Sequence, residues 1–393
     1  MRFNLWEDCN RVPLTELLSF IVDNRGKTVP TAPSGHKLIA TNCVTNNTLF
    51  PVYDKIRYLS EETYQTWFRA HPIPGDILFV NKGTPGRVCL VPDPVDFCIA
   101  QDMIALRADE SKIYPKYLFT VLRSREIQQQ IYNTNVGDVI PHFKKQFLDQ
   151  LLIPIPERSI QESIGDLYYV LSLKAERNKK INDNLQQQAA ALFSSLYDRS
   201  NTEVRFTDLI QILGGGTPKT GENTYWNGNI AFFTPKDVGT PYTLITEKTI
   251  SKEGLSHCNS RLYPVNTVFV TARGTVGKVG MSGVPMAMNQ SCYALVGKET
   301  HQLLVYFYTL KAVDRLKHKA SGAVFDAITT RDFESEQIMK LSDDDATAFL
   351  RVAEPMFQEV LNNNIENLRL STLRDSLLPK LMSGEIDVSD IQL

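Results

Sequence analysis

The sequence predicts an α+β protein in which two similar mixed α/β domains are separated by two long helices that pack as an antiparallel coiled coil. Three observations lead to this fold class: an internal repeat, strand-and-turn composition at the start of each copy, and a helical hydrophobic pattern at its end. We expect the first domain at 1–157, the first long helix at 158–200, the second domain at 201–341 and the second long helix at 342–393. An approximate two-fold axis would relate the two copies.

The internal repeat has a period of roughly 185–190 residues. Chance does not readily produce so many matches in one order, so we interpret the chain as a duplication. Six blocks correspond: 13–18 with 205–210, 74–80 with 264–270, 83–88 with 274–279, 100–102 with 289–291, 117–119 with 306–308, and 136–137 with 321–322.

The first part of each copy consists of short apolar or alternating segments, such as 76–80 and 267–271, separated by glycine and proline. This composition is typical of strands joined by turns. Two longer stretches, 114–132 and 302–319, have helical periodicity instead. Each domain is therefore predicted to combine sheets with a helix.

The first long helix is predicted over 159–196, where no glycine follows Gly165 and no proline occurs. A seven-residue repeat with alternating spacings of four and three runs along it, as in a helix that packs against another helix. Polar members of this seam are expected to specify register at a cost in stability. The seam contains Ile160, Ile164, Leu167, Leu171, Lys174, Asn178, Ile181, Leu185, Gln188 and Leu192.

The second long helix, over 343–382, is the expected partner of the first. Three aspartates at 343–345 suit a helix N-terminus, and Gly384 lies just beyond the predicted end. Pro355 is expected to kink or restart the helix. Its apolar face carries Phe349, Val352, Ala353, Met356, Val360, Leu361, Ile365, Leu368, Leu373 and Leu377.

Composition and charge exclude several classes of protein. Apolar residues make up 42% of the chain, which rules out a largely disordered protein, and no apolar run approaches the ~18 residues of a membrane span. The N-terminus has no apolar signal segment, so a cytoplasmic location is expected. The six cysteines and six histidines lack the short spacings of a zinc site, so no metal is expected. A net charge of −2 argues at first sight against nucleic acid.

Stretches in the second half and at the end of the chain resemble a known family. Residues 214–220 read Gly-Gly-Gly-Thr-Pro-Lys-Thr and 234–237 read Thr-Pro-Lys-Asp. They resemble the opening of target recognition domains in the specificity subunits of type I restriction–modification systems. The closing residues 373–386 resemble the end of those subunits, and the duplicated order of domain and helix is also theirs. The resemblance therefore covers essentially the whole chain.

This resemblance implies a DNA-reading subunit that is not an enzyme. Each target recognition domain would read one half of a bipartite, asymmetric site on double-stranded DNA. The helices would set the spacer between the halves and bind two methyltransferase subunits. Those partners would supply adenine methylation from S-adenosylmethionine, and restriction–translocase subunits would supply the reactions that need ATP and magnesium. No cofactor is expected on this chain itself.

Candidate DNA-contacting residues are basic or amide side chains in or beside loops, because Arg and Lys meet phosphates and Arg, Lys, Asn and Gln reach base edges. The basic run 315–319 is a further candidate. Residues 201–340 carry 15 basic and 12 acidic side chains, whereas 341–393 carry 4 and 10, so much of the acidic excess lies outside the domains. The candidates are Lys219, Lys236, Arg273, Lys278 and Gln290 in the second domain, and Lys27, Asn42, Lys82, Arg87 and Gln101 in the first.

Other chemistries fit the sequence less well. The glycine spacing at 216–221 is followed by Glu222 and Asn223, where a nucleotide-binding loop needs Lys and Ser or Thr. Asp93 with 110–112 satisfies a loose nuclease pattern, but Asp93 lies between two prolines. The alternative that stays open is a coiled-coil scaffold or adaptor whose domains bind protein rather than DNA. A footprint of two protected blocks on duplex DNA would separate these hypotheses.

Overall fold

The chain forms two compact units, each of which combines one domain with parts of both long helices. The computed structural model describes residues 4–24, 26–134, 141–239, 241–319 and 327–386. The first unit consists of residues 1–177 and 367–393, and the second unit consists of residues 178–366. The predicted repeat block at 136–137 and 321–322 lies outside the described residues.

The first unit contains short strands followed by helices. Its α-helices are α1 (Leu5–Asp8), α2 (Glu61–Thr66), α3 (Pro115–Leu122), α4 (Arg125–Thr134) and the beginning of α5 (Arg158–Asp198). Short 3-10 turns lie at Leu14–Leu17, Thr41–Cys43 and Lys145–Gln150. The strands are β1 (Asn10–Pro13), β2 (Leu18–Val22), β3 (His36–Ile39), β4 (Arg57–Leu59), β5 (Ile77–Val80), β6 (Val88–Leu90), β7 (Phe97–Ile99), β8 (Met103–Ala108) and β9 (Leu152–Ile155).

These strands form an antiparallel sheet in the order β2-β8-β5-β6, a sheet in the order β4-β3-β7 with β3 parallel to β7, and the pair β1-β9. Alternation along β5 divides two cores, because successive side chains point to opposite faces. Ile77 and Phe79 belong to the core that contains α3 and the start of α5, whereas Leu78 and Val80 belong to another core. Both faces of this sheet are therefore buried.

The second unit has the same plan. Its sheets have the orders β11-β18-β15-β16-β13, β14-β12-β17 and β10-β19. The helices are α6 (Phe206–Leu209), α7 (Lys252–Ser256), α8 (Gln302–Lys319), α9 (Thr330–Ser335) and α10 (Asp343–Met382), with a 3-10 turn at Asn223–Tyr225. The strands are β10 (Thr202–Arg205), β11 (Ile210–Gly214), β12 (Trp226–Phe233), β13 (Tyr242–Thr243), β14 (Lys248–Ile250), β15 (Val268–Thr271), β16 (Val279–Ser282), β17 (Met286–Met288) and β18 (Cys292–Gly297), with β19 (Gln337–Lys340).

Strand pairing corrects one block of the predicted repeat by one residue. In β5 and β6, Ile77 pairs with Leu90, and in β15 and β16, Val268 pairs with Met281. Ile77 therefore corresponds to Val268, not to Thr267. A strand that is buried on both faces is apolar at every position. Shifting its alignment by one residue therefore still matches apolar residues with apolar residues, and the sequence alone does not reveal the error.

The turn before each of these strands supports the corrected register. Gly75 and Asn266 lie at equivalent places, and both have left-handed backbones with φ of 86° and 71°. Glycine and asparagine are the residues that adopt this conformation most readily. The predicted block aligns Pro74 with Pro264 because both are prolines, and the backbone conformations show that this alignment is wrong by one residue.

The helix predicted over 114–132 is two helices in the structure, whereas α8 has the predicted bounds. α3 ends at Leu122 and α4 begins at Arg125. Ser124 caps the second helix, since its Oγ accepts a hydrogen bond from the backbone N–H of Ile127 at 3.4 Å. The equivalent segment of the second unit continues as one helix.

The two long helices are continuous. α5 runs from Arg158 to Asp198, and α10 runs from Asp343 to Met382 through Pro355, so the predicted restart does not occur. Gly384 ends α10 with φ of 68° and donates its N–H to Leu381 O at 3.3 Å. Among the helices that the structure describes, none has both the length and the hydrophobicity needed to cross a bilayer.

Within each unit the long helices pack antiparallel. In the first unit, Ile164 of α5 shares a core with Leu381 of α10, and in the second, Phe193 of α5 packs against Phe349 of α10 with ring centroids 5.4 Å apart. Of the residues predicted to line the seam, six are buried: Ile164, Asn178, Phe349, Ala353, Val360 and Leu361. Nine more are partly buried: Ile160, Leu167, Leu171, Leu185, Leu192, Met356, Ile365, Leu368 and Leu377.

Around Ile181 the seam of α5 lies one residue further along than the apolar pattern predicts. Ile181 is 45% exposed, while the next residue, Asn182, is only 4% exposed, and Asn178 is fully buried. Asn178 donates to the carboxylate of Glu366 at 2.6 Å, and Asn182 donates to Asn364 Oδ1 at 3.0 Å. The helices meet here through hydrogen-bonded asparagines. Asn178 belongs to the predicted seam, whereas Asn182 does not, because a search for apolar residues does not find it.

Candidate nucleic-acid interface

In the second unit, four loops that carry predicted DNA-contacting residues begin where strands end. They are 214–221 after β11, 234–237 after β12, 272–278 after β15, and 289–291 after β17. β12 and β17 are parallel and end side by side at Phe233 and Met288, and the last residue of β15, Thr271, pairs with the first of β18, Cys292. The four loops therefore meet along one edge of the sheets, which we call the loop edge.

Hydrogen bonds join the loops to one another. Asn289 donates its N–H to the carbonyl of the last residue of β12 at 3.0 Å, and Ala272 donates to Ser291 O at 2.8 Å. The hydroxyl of Thr275 donates to Pro235 O at 3.2 Å. The loop edge is consequently a connected backbone surface rather than four independent loops.

The glycine-rich loop 214–221 lies flat against this edge because two of its residues have no side chain. A Cβ at Gly215 would lie 2.1 Å from Asn289 O, and a Cβ at Gly216 would lie 2.6 Å from Asn259 N. Both distances are severe overlaps, so only glycine fits at either position. The glycines serve close backbone packing.

This loop carries Lys219, and both Lys219 and Gln290 are exposed. Gln290 Oε1 accepts a hydrogen bond from the hydroxyl of Thr217, which links 289–291 to the glycine-rich loop. The carbonyl of Lys219 accepts a hydrogen bond from Trp226 Nε1 at 3.1 Å. The backbone beneath the lysine is thus held while its side chain faces solvent.

The turn 234–237 is tied down by Asp237 and displays Lys236. The Asp237 carboxylate accepts hydrogen bonds from the N–H groups of Thr234 at 2.8 Å and Glu247 at 2.7 Å. The Lys236 side chain is 79% exposed, with Nζ 3.5 Å from Glu247 Oε2. Such an exposed ion pair contributes less than about 1 kcal/mol, so the lysine can exchange it for a phosphate.

Arg273 and Lys278 stand at the two ends of the hairpin loop, and both are exposed. Arg273 forms a backbone bridge with Ala327, and Lys278 donates its N–H to Thr271 Oγ1 at 2.9 Å. All five residues predicted for the second domain therefore lie on the loop edge.

The first unit repeats the loop edge. Ala100 donates its N–H to Ile39 O at 3.0 Å, and Asn81 donates to Asp102 O at 2.9 Å. These are the same two connections that Asn289 and Ala272 make in the second unit. The two edges thus share one backbone arrangement.

Four of the five residues predicted for the first domain lie on its loop edge. Asn42 is exposed in the 3-10 turn and donates to Asp54 O at 2.6 Å, while Lys82 and Arg87 lie in the hairpin loop. Gln101 follows β7, and its Oε1 is buried with no hydrogen-bond partner among the described residues. Lys27 is exposed in the segment after β2.

A fifth loop reaches the edge of the second unit and was not predicted. Ser260 accepts a hydrogen bond from the N–H of Met288 at 2.9 Å, and the next residue, Arg261, is exposed. This segment belongs to none of the six repeat blocks, so the spacing did not draw attention to Arg261. Its place just before the block that begins at Pro264 is the only sequence signal for it.

The basic run 315–319 is partly structural. Glu336 is fully buried; its Oε2 accepts a hydrogen bond from Lys319 Nζ at 2.5 Å, and its Oε1 forms an ion pair with Arg315, whose Nε lies 2.9 Å away. A buried carboxylate requires such partners, so these two cations serve the fold. Of the basic side chains in this run, only Lys317 and His318 therefore remain candidates for contact with DNA.

The family model for the type I restriction modification DNA specificity domain matches the chain twice, at residues 19–187 and 199–340. The chain belongs to this family. The two matches correspond to the two copies found from the internal repeat, and each includes one loop edge. The resemblance predicted from the sequence is therefore confirmed.

Type I specificity subunits from several organisms are similar to this specificity subunit. That of HindI from Haemophilus influenzae is 23% identical, with 79% of this chain and 86% of the relative covered. That of EcoR124I/EcoR124II from Escherichia coli is 29% identical over 42% of this chain and 45% of its own. The crystal structure of the S subunit from M. genitalium covers 97% of this chain and 98% of its own, with a TM-score of 0.62 at 15% identity. The predicted fold class is confirmed by this shared fold.

Proposed function

We propose that this specificity subunit reads double-stranded DNA without catalysing any reaction itself. Each loop edge contacts one half of a bipartite, asymmetric site. The long helices set the spacer between the halves and bind two methyltransferase subunits. Methylation with S-adenosylmethionine, and restriction with ATP and magnesium, take place on partner subunits.

The observation that supports this most is one backbone arrangement presented with different side chains. The turn that holds Lys236 in the second unit holds Asn42 in the first, and the hairpin position of Arg273 is taken by Lys82. Lys, Arg, Asn and Gln are the residues that meet phosphates and base edges. Two domains that recognise different half-sites need the same backbone scaffold with different side chains on it.

The charge of the chain supports a subunit that binds DNA together with partner subunits rather than alone. Residues 201–340 carry only three more basic than acidic side chains, 15 against 12. Each phosphate contact contributes to affinity through counterion release, so a weakly basic surface gives weak binding alone. We expect most of the phosphate contacts to come from the methyltransferase subunits.

Exchanging one domain tests the proposal. Residues 201–340 are replaced by the corresponding module of another specificity subunit, and the chain is expressed with its methyltransferase in a host without adenine methylation. Sequencing of methylated sites is expected to show one half-site changed and the other retained. A change in both halves, or methylation without a bipartite motif, contradicts the proposal.

Single substitutions locate the contacts. Arg273→Ala is expected to weaken DNA binding by the assembled complex and to reduce the slope of log K against log salt by about one if the arginine meets a phosphate. Lys340→Ala is the matched control, because Lys340 is a basic residue of β19, away from the four loops. Equal binding by both variants contradicts the assignment of Arg273. If the complex shows no preference among duplexes, the adaptor hypothesis is favoured.

A further inference from the structure

A cavity of about 290 Å³ in the first unit is lined by three arginines. It lies where the break between α3 and α4 faces the end of α10. Arg123 and Ser124 come from the break, Arg125 from the first turn of α4, and Arg374 from α10. The cavity is separate from the loop edge and has no role in the proposed reading of DNA.

Within the part of the chain that the structure describes, Arg123 is a buried cation without a carboxylate partner. It is 9% exposed; its Nη2 donates to the carbonyls of Thr45, Thr48 and Val88, and its Nη1 donates to the hydroxyl of Tyr168 at 3.3 Å. Its Nε is buried with no hydrogen-bond partner among the described residues. A buried charge is costly unless an opposite charge compensates it.

Arg374 is a second buried arginine on the other side of the cavity and, unlike Arg123, it forms an ion pair with a carboxylate, that of Asp375. It is 7% exposed, and the single hydrogen bond described for it runs from Nε to Asp375 Oδ1 at 2.8 Å. Within the described part of the chain, its two terminal nitrogens have no acceptor. Its guanidinium lies over the ring of Tyr168, with Cζ 5.4 Å from the centroid. The planar fork that remains matches an oxyanion.

The N-terminus of α4 opens onto this cavity. The first N–H groups of a helix have no partner within the helix, and together they attract negative charge. Ser124 Oγ accepts from the N–H of Ile127, which leaves the N–H groups of Arg125 and Glu126 for another acceptor. α4 has ten residues, and Arg125 at its start is exposed.

The duplication shows that the fold does not need these arginines. The alignment of Tyr117 with Tyr306 places Ala312 of α8 at the position of Arg123. In α5 the position equivalent to Arg374 of α10 is Ala189, because both residues are followed by buried residues four, seven and eight positions later. Both alanines are fully buried in an apolar core. The same junction is thus closed by apolar packing in one unit and left as an arginine-lined cavity in the other.

We infer that this cavity binds a compact oxyanion of phosphate size, either inorganic phosphate or the phosphate group of a monoester. Arg374 supplies the bidentate fork, Arg123 supplies a positive charge from behind the wall of the cavity, and the start of α4 supplies backbone N–H groups. Two acidic residues, Glu126 and Asp375, also line the cavity, and Asp375 is held by Arg374 Nε. Both acids are more exposed than the two buried arginines, so solvent screens them more.

Calorimetric titration of the full-length chain with inorganic phosphate, at constant ionic strength in chloride, tests this inference. We expect saturable binding of one phosphate and a midpoint of thermal unfolding that rises with phosphate concentration. Arg374→Ala is expected to weaken phosphate binding at least tenfold, because two charge-assisted hydrogen bonds are lost. Arg369→Ala is the matched control, since Arg369 is an exposed arginine of α10 that does not line the cavity.

Two further variants keep the test decisive if Arg374→Ala does not fold. Arg374→Lys keeps the charge but loses the fork, and Arg125→Ala removes an exposed side chain that packing does not require. Both are expected to weaken phosphate binding while Arg369→Ala leaves it unchanged. Adenosine monophosphate competing with phosphate at similar strength would identify the phosphate group as the part recognised.

Absence of saturable phosphate binding, or equal affinities in the Arg374 and Arg369 variants, would overturn the inference. A third result would also overturn it: phosphate does not bind, but Arg374→Lys loses the methyltransferase subunit. The cavity would then hold a carboxylate of that partner instead of a phosphate.

Discussion

Replacing Asn182 by alanine tests whether hydrogen-bonded asparagines hold α5 and α10 together in the second unit. Asn182 is 4% exposed, donates to Asn364 at 3.0 Å and accepts from Asn363 Nδ2 at 2.9 Å. Asn363 is itself only 5% exposed. The alanine variant therefore leaves a buried amide N–H without its acceptor.

Leaving a buried polar group unsatisfied costs about 1–3 kcal/mol, so we expect Asn182→Ala to lower the free energy of unfolding by about 2 kcal/mol. With a urea m-value of about 2–3 kcal/mol/M, the midpoint of the transition that reports on the second unit shifts down by about 0.7–1 M. The exposed neighbour Asn184 is the control, because its replacement by alanine is expected to change stability by less than about 0.5 kcal/mol.

Urea titrations followed by circular dichroism and by tryptophan fluorescence measure these shifts. Equal midpoints for the Asn182 and Asn184 variants would refute the reasoning. A double variant with leucine at 182 and 363 separates stability from specificity, since apolar replacement of both partners can be neutral or stabilising. We expect it to keep its midpoint but to populate shifted registers or larger oligomers in size-exclusion chromatography.

Three more predictions concern the loop edge, the helices and pH. Gly215→Ala is expected to displace loop 214–221 from Asn289 and to relax one half-site only, whereas Gly221→Ala, with no atom within 4 Å of the new Cβ, leaves methylation specificity unchanged. One heptad inserted midway along both α5 and α10 adds about 10.5 Å of helix, and we expect a spacer about three base pairs longer in the methylated motif. An unchanged spacer would count against the ruler role. Burial alone would raise the pKa of Asp166, but hydrogen bonds from Lys116 and Tyr114 outweigh it and lower the pKa. Asp166 therefore stabilises the fold above its unfolded pKa of about 3.9, and this is lost as the pH falls through the lower folded value. Asp166→Asn is expected to flatten the acid limb of a stability–pH curve, and a limb as steep as in the wild-type chain would contradict this.

Patterns that depend on local chemistry were predictable from the sequence. The bounds of α8 follow from its helical periodicity, and the order of domains and long helices follows from the repeat. The break before Ser124 was missed, because Arg123 and Ser124 interrupt a helical pattern without a glycine or proline to mark the end. The one-residue error at Ile77 arose because an apolar strand carries no register information of its own.

The candidate site was predictable as a set of residues but not as a surface. Lys236, Arg273 and Gln290 were selected because basic and amide side chains in loops suit DNA. Only strand pairing shows that their loops meet at one edge, and only the close approach of Gly215 to Asn289 shows why the glycines are there. Arg261 joined the set because of where its loop lies.

The sequence by itself determined that this protein is a duplication, that each copy ends in a long helix, and which family it belongs to. Periodicity, composition and short motifs indicate these properties, and all three can be recognised along the chain without knowing which residues are in contact. The tertiary structure decided that Asn182 rather than Ile181 meets α10, since a buried asparagine becomes favourable in a seam only when its hydrogen-bond partners are present. It also decided that equivalent junctions differ, with Arg123 and Arg374 around a cavity in one unit and alanines in a closed core in the other. Burial and partnership are relations between distant residues, and packing alone establishes them.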